Sequence, residues 1–547
     1  MTGGKRKVPG RATVVWRCGK GLGCTLPMML VAGSALAAEI TLQMKGGGFT
    51  IQGELKAFDG TKYVIESKAL GNMSLEASRF DCVGGGCPSQ PIAAAPAGAV
   101  AVARSGQLGT TTWMGGSAQG TAVMPKLIQA YASSIGATVV RSVGSDNKIL
   151  EFKLTDTGGR ELGNFVVARQ GVPAGLDGLE KKLVEVVWSA RPISPEEQAK
   201  AQKAGLGNLR APGNEHVYAL NAMTVLISPD NPAVSLSIDN VAKIYSGQIK
   251  DWSELGLPPG KINVYAMVQT SGYWGAFEEM VLKPRALQAS PDIIRLDAAT
   301  DWSDKVAQDR YGIGITTIGL IRNSKPVNVE SSCGLITRPS NFAAKTEEYP
   351  LTHRLHLYSS GLPKSQLGRE LLSFALSPAM QPVLKEVNFV DQSPELLDFP
   401  AQTARVAYAL NAQTEDFDIN MMRTLISELK GASRLSTTFR FGTADATLDS
   451  RAIADIARLA ELLKSPEYRG KQVLLIGFAD AIGSFATNLK LAERRSAAAL
   501  RSLVVAGGAQ VRTQVVTRAF GELAPVACND TPEGRNFNRR VEVWVKN

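Results

Sequence analysis

Three histidines, His216, His353 and His356, are all the imidazole that 547 residues offer. A histidine relay or a His-rich metal centre needs more, and six cysteines without a repeated CxxC pattern do not make a zinc site. The hydroxyls supply no nucleophile motif. Gly115-Gly116-Ser117-Ala118-Gln119-Gly120 departs from Gly-x-Ser-x-Gly, and few bases stand ready to activate a serine. The side chains therefore point away from an enzyme and call for no cofactor and no metal. The chemistry the cysteines can do is structural. Cys82 and Cys87 flank Val83-Gly84-Gly85-Gly86, glycines able to make the tight turn a short-loop disulfide needs. Cys333 and Cys528 are far apart, and they are either buried free thiols or a bridge between two domains.

Charge is the other resource. Lys plus Arg number 60 against 50 Asp plus Glu, a formal +10, with 44% hydrophobic, 20% charged and 6% aromatic residues. That composition excludes a disordered polyelectrolyte and a membrane bundle, and at about 150 residues per domain the length predicts three or four domains. Lys5, Arg6, Lys7, Arg11, Arg17 and Lys20 precede an apolar run over 26–36 that closes on Ala35-Leu36-Ala37. A basic segment, a short apolar run and small residues are the order of a secretory signal, and the run is well short of the roughly 20 residues that span a bilayer. The reading is a signal peptide over 1–37, cleaved after Ala37 or Ala38, with the rest of the chain in an oxidising compartment where Cys82 and Cys87 can pair.

The elements that must position these groups fall into blocks. Over 38–90, short alternating runs such as Ile40-Thr41-Leu42-Gln43-Met44 and Tyr63-Val64-Ile65 between glycine turns predict a small all-β module. Residues 91–107 are Ala-, Pro- and Gly-rich, with almost no charge, and read as a linker. Over 108–397, strand-like runs (Ala137-Thr138-Val139-Val140, Glu185-Val186-Val187-Trp188, Val225-Leu226-Ile227, Ile262-Asn263-Val264-Tyr265) alternate with helical segments such as 239–245. This predicts a two-lobed α/β domain with a cleft. Residues 398–430 read as a helical connector. Over 431–547 the order is strand 436–441, helix 450–464, strand 472–477, helix 487–505, strand 514–519 and strand 540–545, an α+β sandwich.

The last block carries Gly477-Phe478-Ala479-Asp480-Ala481-Ile482-Gly483-Ser484, Asn488, Leu491-Ala492-Glu493-Arg494-Arg495-Ser496, Asn529-Asp530-Thr531-Pro532-Glu533-Gly534-Arg535 and Asn538-Arg539-Arg540-Val541-Glu542. In order and spacing these resemble the OmpA-like peptidoglycan-binding domain. The resemblance implies a non-covalent anchor that grips the diaminopimelate of a wall stem peptide. A zwitterion of that kind needs a carboxylate for its ammonium and a guanidinium for its carboxylate. By similarity, Asp480 takes the ammonium and Arg495 the carboxylate, with Asn488, seven residues before Arg495 on the same helix face, as amide contact or loop brace. Ser484 is placed to cap that helix. Phe478 and Ala479 stand where the family often has His and Thr, which alters the loop wall and spares the pair.

The central block carries Gly115-Gly116-Ser117, Val143-Gly144-Ser145-Asp146, Ser189-Ala190-Arg191-Pro192-Ile193-Ser194, a dense stretch from Leu226 through Asp230 and Tyr245 to Gly256, and Tyr311-Gly312-Ile313-Gly314. It resembles a PstS-type phosphate-binding protein, the periplasmic substrate-binding component of an ABC transporter. Oxyanion capture uses neutral hydroxyls and backbone N–H groups at helix N-termini. Ser117 before a helical run from about Thr121, Ser145 after a strand, Ser189, Arg191, Thr270, Ser271 and Gly272 are the candidate donors. One loop departs from the family: Met267 stands where it typically has Arg, Val268 near its Asp, and Tyr273 at a Thr. At about 1.5–3 kcal/mol for each charge-assisted hydrogen bond, the loss weighs against phosphate specifically.

Two functions follow. The first is a peptidoglycan-tethered periplasmic solute-binding protein for phosphate or a related oxyanion, serving an ABC permease in a Gram-negative envelope, associated with the wall and in reach of the outer membrane. The alternative is an envelope scaffold whose binding-protein-like domain has lost phosphate binding and mediates protein contacts. The basic excess needs no nucleic acid. Six charges leave with the signal peptide, and residues 431–547 carry 17 Lys plus Arg against 11 Asp plus Glu, which suits the carboxylates of stem peptides.

Overall fold

A computed structural model describes residues 39–44, 50–58, 62–67, 71–77, 80–83, 87, 107–144, 147–269, 271–296, 302–411, 418–442 and 446–546. The signal-peptide reading, nearly all of the linker, and the candidate donors Ser145 and Thr270 lie outside the described residues.

The N-terminal unit is a five-stranded antiparallel sheet in which Glu39–Met44 is flanked by Thr50–Phe58 and Phe80–Val83. Alternation sorts its side chains: Ile40, Leu42, Leu55, Ile65 and Phe80 share one buried cluster. Cys82 and Cys87 are bonded, as their glycine-rich spacing predicts.

The second unit contains two lobes and the C-terminal domain. In the first lobe, Gly109–Gly115 lies parallel to Val186–Ser189 on one side and to Glu161–Ala168 on the other. In the second, Asn263–Met267 lies parallel to Gly312–Thr317 and Ile294–Leu296. A single 13-residue strand, Glu215–Ile227, serves both. Its first half pairs with Thr352–Tyr358 and its second half with Gly312–Thr317, so one continuous backbone crosses between the lobes. The sequence pattern exposed only the last three residues of that strand, because its first ten are apolar and polar without a clean period.

In the C-terminal domain the expected helix Ser450–Lys464 and strand Gln472–Gly477 are present with those bounds, and the helix carrying Arg495 runs Phe485–Gly507. The strand Val473-Leu474-Leu475-Ile476 is apolar on both faces. Val473 and Leu475 face the helix-covered core, while Leu474 and Ile476 face the other way. An exposed apolar sheet face must be covered, and the stretch read as a connector covers it. Ala409, Met422, Leu425 and Leu429, from helices Thr403–Asn411 and Ile419–Leu429, pack there with Trp544, and Leu396–Asp398 adds an edge strand to the sheet. Residues 398–430 are therefore an integral layer of the C-terminal domain, which begins earlier than the sequence pattern indicated.

The central and C-terminal domains are joined by more than chain continuity. Cys333 and Cys528, left open by the sequence, form a disulfide across 195 residues. Beside it Ser332 donates to Asp530 at 2.7 Å. Arg451 meets Glu347 at 2.7 Å, Arg354 meets Asp449 at 2.8 Å, Arg434 pairs with Glu348, and Lys345 reaches Glu395 at 2.6 Å. Glu347 takes a left-handed backbone (φ 58), uncommon outside glycine, and its carboxylate lies between Arg354 and Arg451. Among the described residues, no helix is long and apolar enough to cross a membrane.

Candidate functional site

The interlobe cleft is built by close approaches that need small residues. A Cβ on Gly115 would lie 2.3 Å from the Trp188 carbonyl, so glycine alone lets the strand end turn into the helix Ser117–Ser134 there. Trp188 Nε1 donates to Gly116 O at 2.8 Å and fixes that turn. A Cβ on Gly272 would lie 2.9 Å from the Ala118 Cβ, so the start of this helix faces the start of helix Gly272–Phe277 on the opposite lobe. The structure thus brings Ser117, Ser271 and Gly272 to one place, with Ser117 exposed.

The remaining described donors are engaged. Ser189, fully buried, donates to Arg191 O at 2.6 Å and accepts from Arg191 N at 3.1 Å, closing a turn. The Arg191 guanidinium forks onto Glu197 at 2.8 and 2.7 Å, and Glu197 is itself the capping-box residue of the next helix. That hydrogen-bonded carboxylate, with a smaller contribution from Glu279 on the opposite lobe, raises the pKa of Arg191. Ser271 caps its helix through the Tyr273 N–H and donates to Met267 Sδ at 2.9 Å.

Sequence reasoning missed Arg295. It stands beside Ala266 on the neighbouring strand, donates to Met267 O at 2.7 Å and stacks 3.9 Å from the Trp274 ring centroid. A guanidinium therefore occupies the neighbourhood from which Met267 removes one, although burial lowers its pKa and its fork is committed to the loop carbonyl and ring. Strand pairing, which no local motif encodes, is what brings it there.

In the C-terminal domain, a Cβ on Gly477 would lie 2.1 Å from Ala492 O, so glycine admits the helix that carries Arg495 against the strand that delivers Asp480. Ser484 caps that helix by accepting from Thr487 N at 3.4 Å. Asp480 accepts from Ile482 N at 3.0 Å and from Arg539 at 2.8 Å. Arg495, fully buried, donates to Gly442 O at 3.0 Å and lies 5.8 Å from the Phe441 ring centroid. Asn488 donates to Glu522 at 2.5 Å, the geometry of a loop brace. Asn529 accepts from the Ala481 N–H next to Asp480 and from Asn538. Arg539 was quoted in the motif without a role, and the adjacent arginines gave no sign of which one turns toward Asp480. Asp480 and Arg495 thus each hold a partner of the opposite or complementary kind, close to one loop. Among the described residues, no group of three or more His, Cys, Asp and Glu could hold a metal.

Residues 101–379 match the family model described as the PBP superfamily domain, and residues 438–539 match that of the OmpA family. The phosphate-binding protein PstS of Borreliella burgdorferi is 23% identical over 264 residues, 47% of this chain and 88% of that protein. Outer membrane porin F of Pseudomonas aeruginosa is 35% identical over 113 residues, 21% of this chain and 31% of the porin. The crystal structure of PstS from Borrelia burgdorferi aligns with 52% of this chain and 98% of its own, at 18% identity and a TM-score of 0.39. These are binding and structural families, not enzymes. With the first family model spanning just over half of its residues, the chain belongs to the PBP superfamily and carries an OmpA-family domain behind it.

Proposed function

We propose that the chain is a solute-binding protein tethered to peptidoglycan in the periplasm of a Gram-negative envelope. The observation that carries this reading is the pairing, within one compact unit, of a PBP-superfamily domain and an OmpA-family domain bonded through Cys333 and Cys528. Residues 1–37 act as the export signal, and an ABC permease receives the solute. The solute is phosphate or a related oxyanion, held by Ser117, the backbone N–H groups opening an 18-residue helix, Ser271 and Gly272, with Ser145 and Thr270 as the further donors the sequence offers. Ser189 and Arg191 support it by shaping the adjacent turn. On the wall side, the diaminopimelate ammonium shares Asp480 with Arg539, its carboxylate replaces the Gly442 carbonyl at Arg495, and Asn488 braces the loop.

A second reading, the envelope scaffold, is favoured by Met267 and by the engaged forks of Arg191 and Arg295. Calorimetry of the chain lacking residues 1–37, with phosphate, sulfate and related anions, separates the two. Solute capture predicts saturable binding below about 10 μM, near −7 kcal/mol. Silence with every anion, while co-sedimentation with sacculi persists, rejects solute capture in favour of the scaffold. Asp480→Ala and Arg495→Ala are each expected to abolish that co-sedimentation, and unchanged binding in both rejects the wall site.

A further inference from the structure

A cavity of about 590 Å³ lies between the central and C-terminal domains, walled by Arg210, His353, Arg354 and His356 on one side and by Arg440, Gly442 and Asn536 on the other. Most charges around it are matched. Arg354 pairs with Glu347 and with Asp449. Three basic groups are not satisfied in the same way. The exposed Arg210 guanidinium makes no hydrogen bond or ion pair among the described residues. His356 is 2% exposed; its Nδ1 stands 3.5 Å from Glu215 Oε1, a carboxylate also in the lining, while its Nε2 has no hydrogen-bond partner. Arg440 spends two nitrogens on the carbonyls of Phe537 and Thr346, while its Nε is buried and unpartnered. Burial pushes the Arg440 pKa down to about 10, as expected of a cation whose neighbours do not fully offset its desolvation. Buried donors left unmatched cost stability, so a cavity that gathers them is suited to an acceptor from outside.

The cavity is continuous in hydrogen bonding with both ends of the wall site. Gly442, in its lining, accepts from Arg495 at 3.0 Å. Asn536, also in its lining, accepts from Arg539, which holds Asp480 at 2.8 Å. We propose that this cavity is the second half of the wall site: the stem peptide gripped at Asp480 and Arg495 continues into it, and a further carboxylate of the same peptide binds Arg210, Arg440 and His356. This rests on the wall-binding reading given above. The volume lies in the range of small-molecule and peptide sites, about 300–1,000 Å³, and exceeds what a lone anion needs. Guanidinium forks with an imidazole N–H are donors suited to a carboxylate. The binding-protein domain then touches the wall directly, and its position relative to the glycan is set by both domains.

The test uses the whole chain without residues 1–37, a synthetic stem tripeptide ending in diaminopimelate as calorimetric probe, and intact sacculi. Arg210→Ala is expected to weaken tripeptide binding about tenfold, the loss of one charge-assisted contact, with Arg210→Glu weaker still and Arg210→Lys recovering most of it. Because Arg210 has no partner to lose, the melting temperature of each variant should stay within about 2 °C of the parent. Unchanged affinity in Arg210→Ala and Arg210→Glu, with binding lost in Asp480→Ala, overturns the extension and leaves the wall site standing. Parent-like binding in Asp480→Ala overturns the underlying wall site. If Arg210→Glu nevertheless weakens binding in that case, the cavity takes the peptide alone and the shared site is overturned.

Discussion

Across the interlobe cleft the two halves of the central domain meet through small side chains, Ala118 against Gly272. Toward the C-terminal domain the same central domain presents a disulfide and the ion pairs of Glu347, Glu348, Arg354 and Lys345. At that point the first surface is a contact between small side chains, with the strand Glu215–Ile227 shared by both lobes. Separating the second strands buried charges, each costing several kcal/mol away from its partner. The disulfide and the buried ion pairs stiffen the junction against separation, whereas the cleft at this point rests on contact between small side chains.

The comparison can be broken most forcefully at Glu542. This fully buried carboxylate accepts from Arg540 at 2.7 Å and Trp544 at 2.9 Å and meets Arg405 at 3.0 Å, and Arg434 links the same cluster to Glu348 of the central domain. Glu542→Ala should cost about 3–5 kcal/mol, read as a lowered denaturant midpoint, because three arginines lose their shared counter-charge. A loss below 1 kcal/mol would show the buried cluster behind the junction to be far weaker than its geometry. Next in size, Cys333→Ser should cost about 2–4 kcal/mol by freeing a long loop in the unfolded chain. The same readout applies, and an unchanged midpoint would mean that the ion pairs suffice alone.

Acid should also act on the junction before the cleft. Burial pushes the pKa of His353 down to about 4, from about 6.5 in the unfolded chain. Between those values the unfolded chain binds a proton that the folded one refuses, so stability falls as pH drops from about 6.5 to about 4 and levels off below. The ring is only half-buried, which trims the effect to about 2 kcal/mol or less. His353→Gln should flatten unfolding midpoints across that window, and a slope equal to the parent's would assign the effect elsewhere. The smallest change belongs to the cleft. Arg191 is 43% exposed in its pair with Glu197, so Arg191→Ala should cost under about 1 kcal/mol. A larger loss, measured by the same denaturation, would make the cleft edge a structural element.

How far the sequence could be read depends on which interactions are local. Helix Ser450–Lys464 and strand Gln472–Gly477 were legible because their caps and apolar periods lie within a few residues. The two-lobed α/β fold was legible from alternation. The helices over 403–429 were visible as helices, but their duty to cover Leu474 and Ile476 depends on strands that come later in the chain. Arg295 and Arg539 were not picked out as site residues, since a guanidinium on a long stem takes its direction from tertiary neighbours. The Cys333–Cys528 bond was undecidable, because nothing near either cysteine names its partner.

The order of the two disulfides has a consequence for how the chain is made. From Cys82 onward the cysteines emerge in the sequence 82, 87, 333, 528, and the bonds join the first to the second and the third to the fourth. An oxidant that simply coupled each thiol to the next one to arrive would reach this connectivity without an error to undo. Cys82 is already occupied five residues later, so Cys333 waits for the last domain with no competing sulfur among the residues from Cys82 on. If the chain enters an oxidising compartment N-terminus first, as the proposed export signal requires, order of arrival alone yields the Cys82–Cys87 and Cys333–Cys528 bonds without a disulfide isomerase.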